Sequence, residues 1–296
     1  MNAVNRIGSH VRRLAGATVG IPPRQIDFLF DDNSPRYMYA DNATASLFFA
    51  VLSGFFPPGE MFFVESVRRY RDQITDETLK AQVSGFIGQE AIHSREHERL
   101  NAFLSSRGMD TGPAERAVKA GLWLLCRLSP RQQLACTTLM EHFTAALAEQ
   151  LLTDEAFRRQ ADPELLKLWE WHALEELEHK AVTYDVYELV GNAWYQRMLA
   201  LPLVLGCLTP PLLASWLWMM AREGSIKDWR DLSKGMSLLL GSKGFVTRIM
   251  PHMPAFFSRR FHPDQHDTSM LEQQWREKLF GKEGEMVALW RNADRG

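Results

Sequence analysis

The chain has 296 residues, 46% of them hydrophobic and 24% charged, with a formal net charge of −2. That size and balance give a substantial buried core and exclude disorder as the default, and interspersed charges exclude the basic stripe that nucleic-acid binding needs. Cys126, Cys136 and Cys207, odd in number and far apart, form neither a disulfide framework nor a zinc ribbon and point to a reducing cytoplasm.

The N-terminal stretch MNAVNRIGSHVRRLAGATVG has arginines but no continuous apolar core, so it does not read as a signal peptide. Residues 1–40 read as an extension. Residues 41–296 read as a single helical domain, with a core bundle over about 44–192 and a helical extension over 193–296. A first helix is expected to start at Pro57-Pro58, where a missing N–H costs nothing, and to run through GEMFFVESVRRYRDQI. A second is expected from Asp76, a good N-cap, to about Ser106. Its stripe is Leu79, Val83, Phe86, Glu90, His93, His97, Leu100 and Leu104, alternating steps of four and three. An apolar stripe at this spacing faces a core. Three successive places on it are ionisable, and inward-facing charges are costly unless paired or bound to metal.

The segment RGMDTGPAERAVKAGLWLLCRL follows, far longer than the usual link between antiparallel neighbours. A third helix opens at Ser129-Pro130, with Gln132 completing a capping box, and its stripe is Leu134, Thr138, Glu141, Ala145, Ala148, Leu152. A fourth opens at Asp162-Pro163 and continues through Leu165, Leu168, His172, Glu176, His179, Thr183, Val186 and Val190. A long crossover between the second and third helices is what a ferritin-like four-helix bundle requires. The expected fold is therefore all-α, a ferritin-like bundle with additional C-terminal helices around 226–240 and 270–292.

From Met198 to Ala221 no residue is charged, and Arg197 and Arg222 bracket the run. About 20 apolar residues suffice to span a bilayer. Pro202, Gly206 and Pro210-Pro211 are expected to cut the run into a broken pair of buried helices. The alternative is peripheral membrane contact, anchored by Trp194, Trp216 and Trp218.

Glu90-x-x-His93 and Glu176-x-x-His179 each place a carboxylate and an imidazole on one helix face. Two such motifs, plus one Glu from each of two other helices, form the ligand set of di-iron and di-manganese bundles. The third helix offers Glu141. The first offers Glu60, which shares a face with Phe63, Val64 and Val67, whereas Glu65 sits off that seam and can pair with Arg68 or Arg69. His172, four residues before Glu176, adds a third imidazole. His97 reads as a residue that orients a ligand, with direct ligation as the alternative. Glu149, Glu175 and Glu178 read as solvent-facing or supporting acids. Four carboxylates and neutral histidines balance two divalent ions, iron first, with manganese or zinc as alternatives.

The stretches FPPGEMFFVESVRRYRD, GQEAIHSREHERLN, MEHFTA and WHALEELEHKAVTYDVY resemble the bacterial family of predicted metal-dependent hydrolases over roughly residues 30 to 250. The arrangement of His172, Glu176 and His179 is similar to that of di-iron arylamine N-oxygenases. The resemblance implies that Glu60, Glu90, His93, Glu141, His172, Glu176 and His179 are metal ligands. An O₂-activating oxygenase or oxidase acting on a small organic or lipid-like substrate is the first reading. A two-metal hydrolase is the second, and iron binding without catalysis a third. The expected partners are a small-molecule substrate, O₂ and a second copy in a homodimer, with no nucleic acid. The expected location is cytoplasmic, with membrane association through 198–221.

Overall fold

Asn42 accepts a hydrogen bond from the Ala45 N–H at 2.8 Å and starts helix α1, which spans Ala43–Arg68 in a computed structural model describing residues 13–296. The helix begins well before the prolines at which the sequence places its start. Residues 43–56 are almost wholly apolar and buried, so they show no polar face whose period could reveal them. Pro57 cannot donate to the Ser53 carbonyl four residues back. The Asn101 side-chain amide donates there instead, at 2.9 Å, and the helix continues.

Helix α2 spans Glu77–Ser106, capped by Asp76 as expected. The long link contains α3, Gly112–Leu125. Helix α4 spans Pro130–Thr153, and Ser129 caps it by accepting from the Gln132 N–H. The capping box does not close, because the Gln132 side chain donates to the Gln196 carbonyl at 2.9 Å. After the short α5, Glu155–Gln160, comes α6, Pro163–His179, capped by Asp162. The expected single fourth helix breaks at Lys180-Ala181 and resumes as α7, Val182–Leu189, while Thr183, Val186 and Val190 stay on the buried side. The Lys180 ammonium is tied at the break to the His266 carbonyl and the Thr268 hydroxyl.

Helix α8, Trp194–Glu223, corrects a second expectation. Pro202, Pro210 and Pro211 lie inside one continuous helix, and only 11% of its apolar window is buried, against 72% for α1. It is not a broken core element. Helices α9, Trp229–Leu240, and α10, Ser269–Phe280, are the last α-helices, so the final one stops well short of 292 and only short 3-10 turns follow.

The fold is all-α. Among the described residues the only extended pairings are isolated bridges between Ile26 and Trp290 and between Tyr39 and Ala161. Helix α1 packs on α2 and α4 on α6, and contacts of α1 with α4 and of α2 with α6 and α7 bring the four stripes together. Helix α8 lies outside, against α3, α4 and α1. Residues 20–39 run over the bundle and sink Ile21, Ile26 and Phe28 into its core. The signal-peptide question falls largely on residues 1–12, outside the described residues.

Candidate metal centre

Each helix stripe turns its ionisable residues to the same interior space. Glu60 from α1, Glu90 and His93 from α2, Glu141 from α4, and His172, Glu176 and His179 from α6 are all buried. Glu176 lies at the middle. Its Oε1 is 3.0 Å from His172 Nε2, 3.6 Å from His179 Nε2 and 3.8 Å from His93 Nδ1. On one side His179 Nε2 faces Glu90 Oε1 at 3.1 Å and Glu141 Oε2 at 3.5 Å. On the other, His172 Nε2 is 3.8 Å from Glu60 Oε1. Glu90, Glu141 and His179 form one group able to hold a metal ion; Glu60, Glu90 and His93, and His93, His172 and Glu176, form neighbouring ones.

Apart from His172 Nε2 and Glu176 Oε1, which bond each other, most atoms turned inward lack hydrogen-bond partners. These are Glu60 Oε1, both oxygens of Glu90 and of Glu141, His93 Nδ1, Glu176 Oε2 and His179 Nε2. Buried polar atoms without partners are rare, and here they converge. The outward atoms of His93, His179 and Glu60 are engaged, whereas Glu90 and Glu141 have no partner on either oxygen. His93 Nε2 meets Glu175 Oε2 at 3.0 Å, His179 Nδ1 meets Gln89 Oε1 at 2.9 Å, and Ser94 donates to Glu60 Oε2 at 2.7 Å. His172 Nδ1 shares a hydrogen bond with His97 Nε2 at 2.8 Å, and His97 Nδ1 meets the Ser53 hydroxyl at 2.9 Å. Both His97 nitrogens are thus occupied in this arrangement, and His97 also belongs with Glu60 and His172 to a group able to hold a metal ion. A ligating imidazole whose other nitrogen is tied to protein presents a lone pair in a fixed direction. Imidazoles tied on their outer nitrogen and carboxylates with one or both oxygens free, all facing one space, are a donor set that fits metal ions.

The electrostatics agree with the geometry. Burial, reinforced by the neighbouring carboxylates, pushes the Glu60, Glu90 and Glu141 carboxyls well above their ordinary range. Burial also opposes ionisation of Glu176, but the His172 hydrogen bond and the nearby His172 and His179 imidazoles override it and hold that carboxyl well below the usual value. Burial, with His172 adjacent, pushes His93 and His97 well below the ordinary imidazole value.

Glu175 and Glu178, which sequence reasoning left between solvent and support, both have fully covered side chains. Arg24 reaches both, Glu175 at 2.9 Å and Glu178 through two bonds at 2.7 Å. Gln89 donates to Glu178 at 3.1 Å. One hydrogen-bonded chain thus runs from His179 through Gln89, Glu178, Arg24 and Glu175 to His93. Burial pushes the Glu175 carboxyl up to about 8 against the pull of Arg24. Helical spacing places Glu175 three residues from His172 and four from His179, a usable signal. Arg24 lies in a segment without periodicity and leaves no such signal. Glu65 pairs with Arg68 on the outside, and Glu149 lies at a separate surface cluster, bonded to His266. Beside the centre is a narrow cavity of about 40 Å³, lined by Leu52, Phe56, Leu147 and Trp169 with His172 and Glu176 at its inner wall.

Residues 22–267 match the family described as predicted metal-dependent hydrolase. The chain belongs to that family. The matched span includes all seven converging residues and Arg24, and ends before Arg276, which also binds Glu178. No curated protein and no solved structure matches the chain.

Proposed function

We propose that this member of the family is a two-metal hydrolase, with Glu60, Glu90, His93, Glu141, His172, Glu176 and His179 holding the ions. The observation that carries the reading is the convergence of partnerless buried oxygens and nitrogens from four helices on one space. Two divalent ions bound there supply a polarised carbonyl or phosphoryl oxygen and an acidified water. The remaining work belongs to the chain. Glu175 holds the His93 Nε2 proton, and Gln89 fixes the His179 ring with Nε2 inward. Phe56, Leu147 and Trp169 keep bulk water from the centre and favour a substrate whose nearest group is small and apolar.

Glu90→Ala and Glu176→Ala are each expected to lose at least one ion per chain, read by metal analysis of the purified protein. Retention of both ions in both variants sinks the site. Hydrolysis of short-chain acyl esters and phosphate esters is expected to survive anaerobic conditions and replacement of the native metal by zinc. A second reading, oxidation of the substrate by O₂ with bound iron, is favoured by the ratio of four carboxylates to three imidazoles around one buried centre. Iron-dependent O₂ consumption without any hydrolysis would establish that reading in place of the first.

A further inference from the structure

The outward side of α8 is unlike a solvated helix surface. A surface helix carries polar residues opposite its packed side. Here Tyr195, Leu199, Leu205, Leu213, Leu217 and Trp218 are each more than a third exposed, with no charged residue among them. The stripe covers most of a helix roughly 45 Å long at 1.5 Å per residue. Arg197, the one charge near its start, is turned away: it is buried and donates to the Phe256 and Ser258 carbonyls. Helix α3 lies directly alongside, so close that a Cβ on Gly121 would stand 2.2 Å from the Cys207 carbonyl oxygen. It adds Trp123 and Leu124, both half exposed, to the same outer layer.

Arginines mark the margins. Arg259 stacks on Trp194 at 4.6 Å near one end of α8, and Arg222 on Trp218 at 5.7 Å near the other. Arg127 stacks on Trp123 at 4.2 Å at the end of α3. Tryptophan and arginine bordering an apolar band are the composition of a membrane interface, the ring at headgroup depth and the cation on lipid phosphate. A second copy of the chain would have to cover the stripe with acids facing these arginines, and from Tyr195 to Arg222 the helix has none. The other side of α8 is packed on α1, α3 and α4, so lipid cannot surround the helix.

We infer that the α3–α8 face docks on an anionic lipid bilayer, with α8 lying in the plane of the interface rather than crossing it. The inference stands whether the buried centre hydrolyses or oxidises its substrate. The full chain is to be sedimented with vesicles of phosphatidylethanolamine and phosphatidylglycerol, and its tryptophan emission followed with brominated lipid in the same vesicles. Expected are co-sedimentation and quenching, with the partition constant falling about tenfold or more for the double substitution Leu205→Glu and Leu213→Glu. Both positions are half exposed, so an unchanged thermal melt and metal content separate lost docking from lost folding. A parent protein left in the supernatant overturns the inference, as does binding indifferent to the substitutions. A vesicle-blind dimer that Leu213→Glu splits also overturns it and reassigns the face to a second copy.

Discussion

Glu60, Glu90 and Glu141 share a water-poor space in which burial and like charge resist their ionisation. A carboxyl raised in the fold contributes stability that is present at low pH and lost as pH rises from its unfolded value of 4.5 through its folded one. His93 and His97, lowered in the fold, act oppositely: their contribution is complete above 6.5 and lost as pH falls. The two trends overlap between these values, and Glu176, held low, matters only in more acidic solution. Above 6.5 the carboxyl trend stands alone, and Glu175, at about 8, extends it through the neutral range. Melting temperature of the chelator-treated protein is therefore expected to fall from pH 6.5 to about 8. Saturating zinc or manganese should flatten that slope, since bound ions do the work of the protons. A flat profile without metal would mean the carboxyls are not protonated in the metal-free fold.

Helix α1 shows how an element survives residues that should end it. Pro57 and Pro58 leave carbonyls without their helical donors, and Asn101 on α2 supplies one replacement at the Ser53 carbonyl. That bond is a tertiary repair of a local defect, and Ser53 also supports His97 through its hydroxyl. Asn101→Ala is expected to cost about 1–3 kcal/mol in urea unfolding, the range for leaving a buried acceptor unmade. A change of only a few tenths would show that water reaches the carbonyl. Helix α8 keeps three prolines by another route. Its outer side is exposed at Gly206, four residues before Pro210, so the unpaired carbonyl stays within reach of solvent.

At the scale of the molecule, the segment around Arg24 meets residues 289–292. Asp27 donates its N–H to the Leu289 carbonyl and Arg291 donates its own to the Gln25 carbonyl, both at 2.9 Å. Asn292 bonds both Gln25 and Pro23. The last residues thus clamp the segment that delivers Arg24 to Glu175 and Glu178. Ending the chain after Met286 is expected to weaken metal affinity about 10–100-fold, the usual effect of disturbing groups that orient ligands. The readout is competition with a chelator, with far-ultraviolet dichroism showing that the helices remain. Unchanged affinity would mean that Arg24 is held by its two glutamates alone.

Helix periodicity made most of the buried surface legible, because in a helix the residue number fixes the direction of the side chain. Thr138 and Glu141, or His172, Glu176 and His179, face inward for the same reason as their apolar neighbours, and Ser129, Asp76 and Asp162 start their helices through bonds only three residues long. Those facts were local, and the sequence determined them. Arg24 on Glu175, Asn101 on Ser53, Gln132 on Gln196 and the bareness of α8 depend on which distant surface each group meets. No periodicity encodes a partner tens or hundreds of residues away, so only the packing of the whole chain decided them.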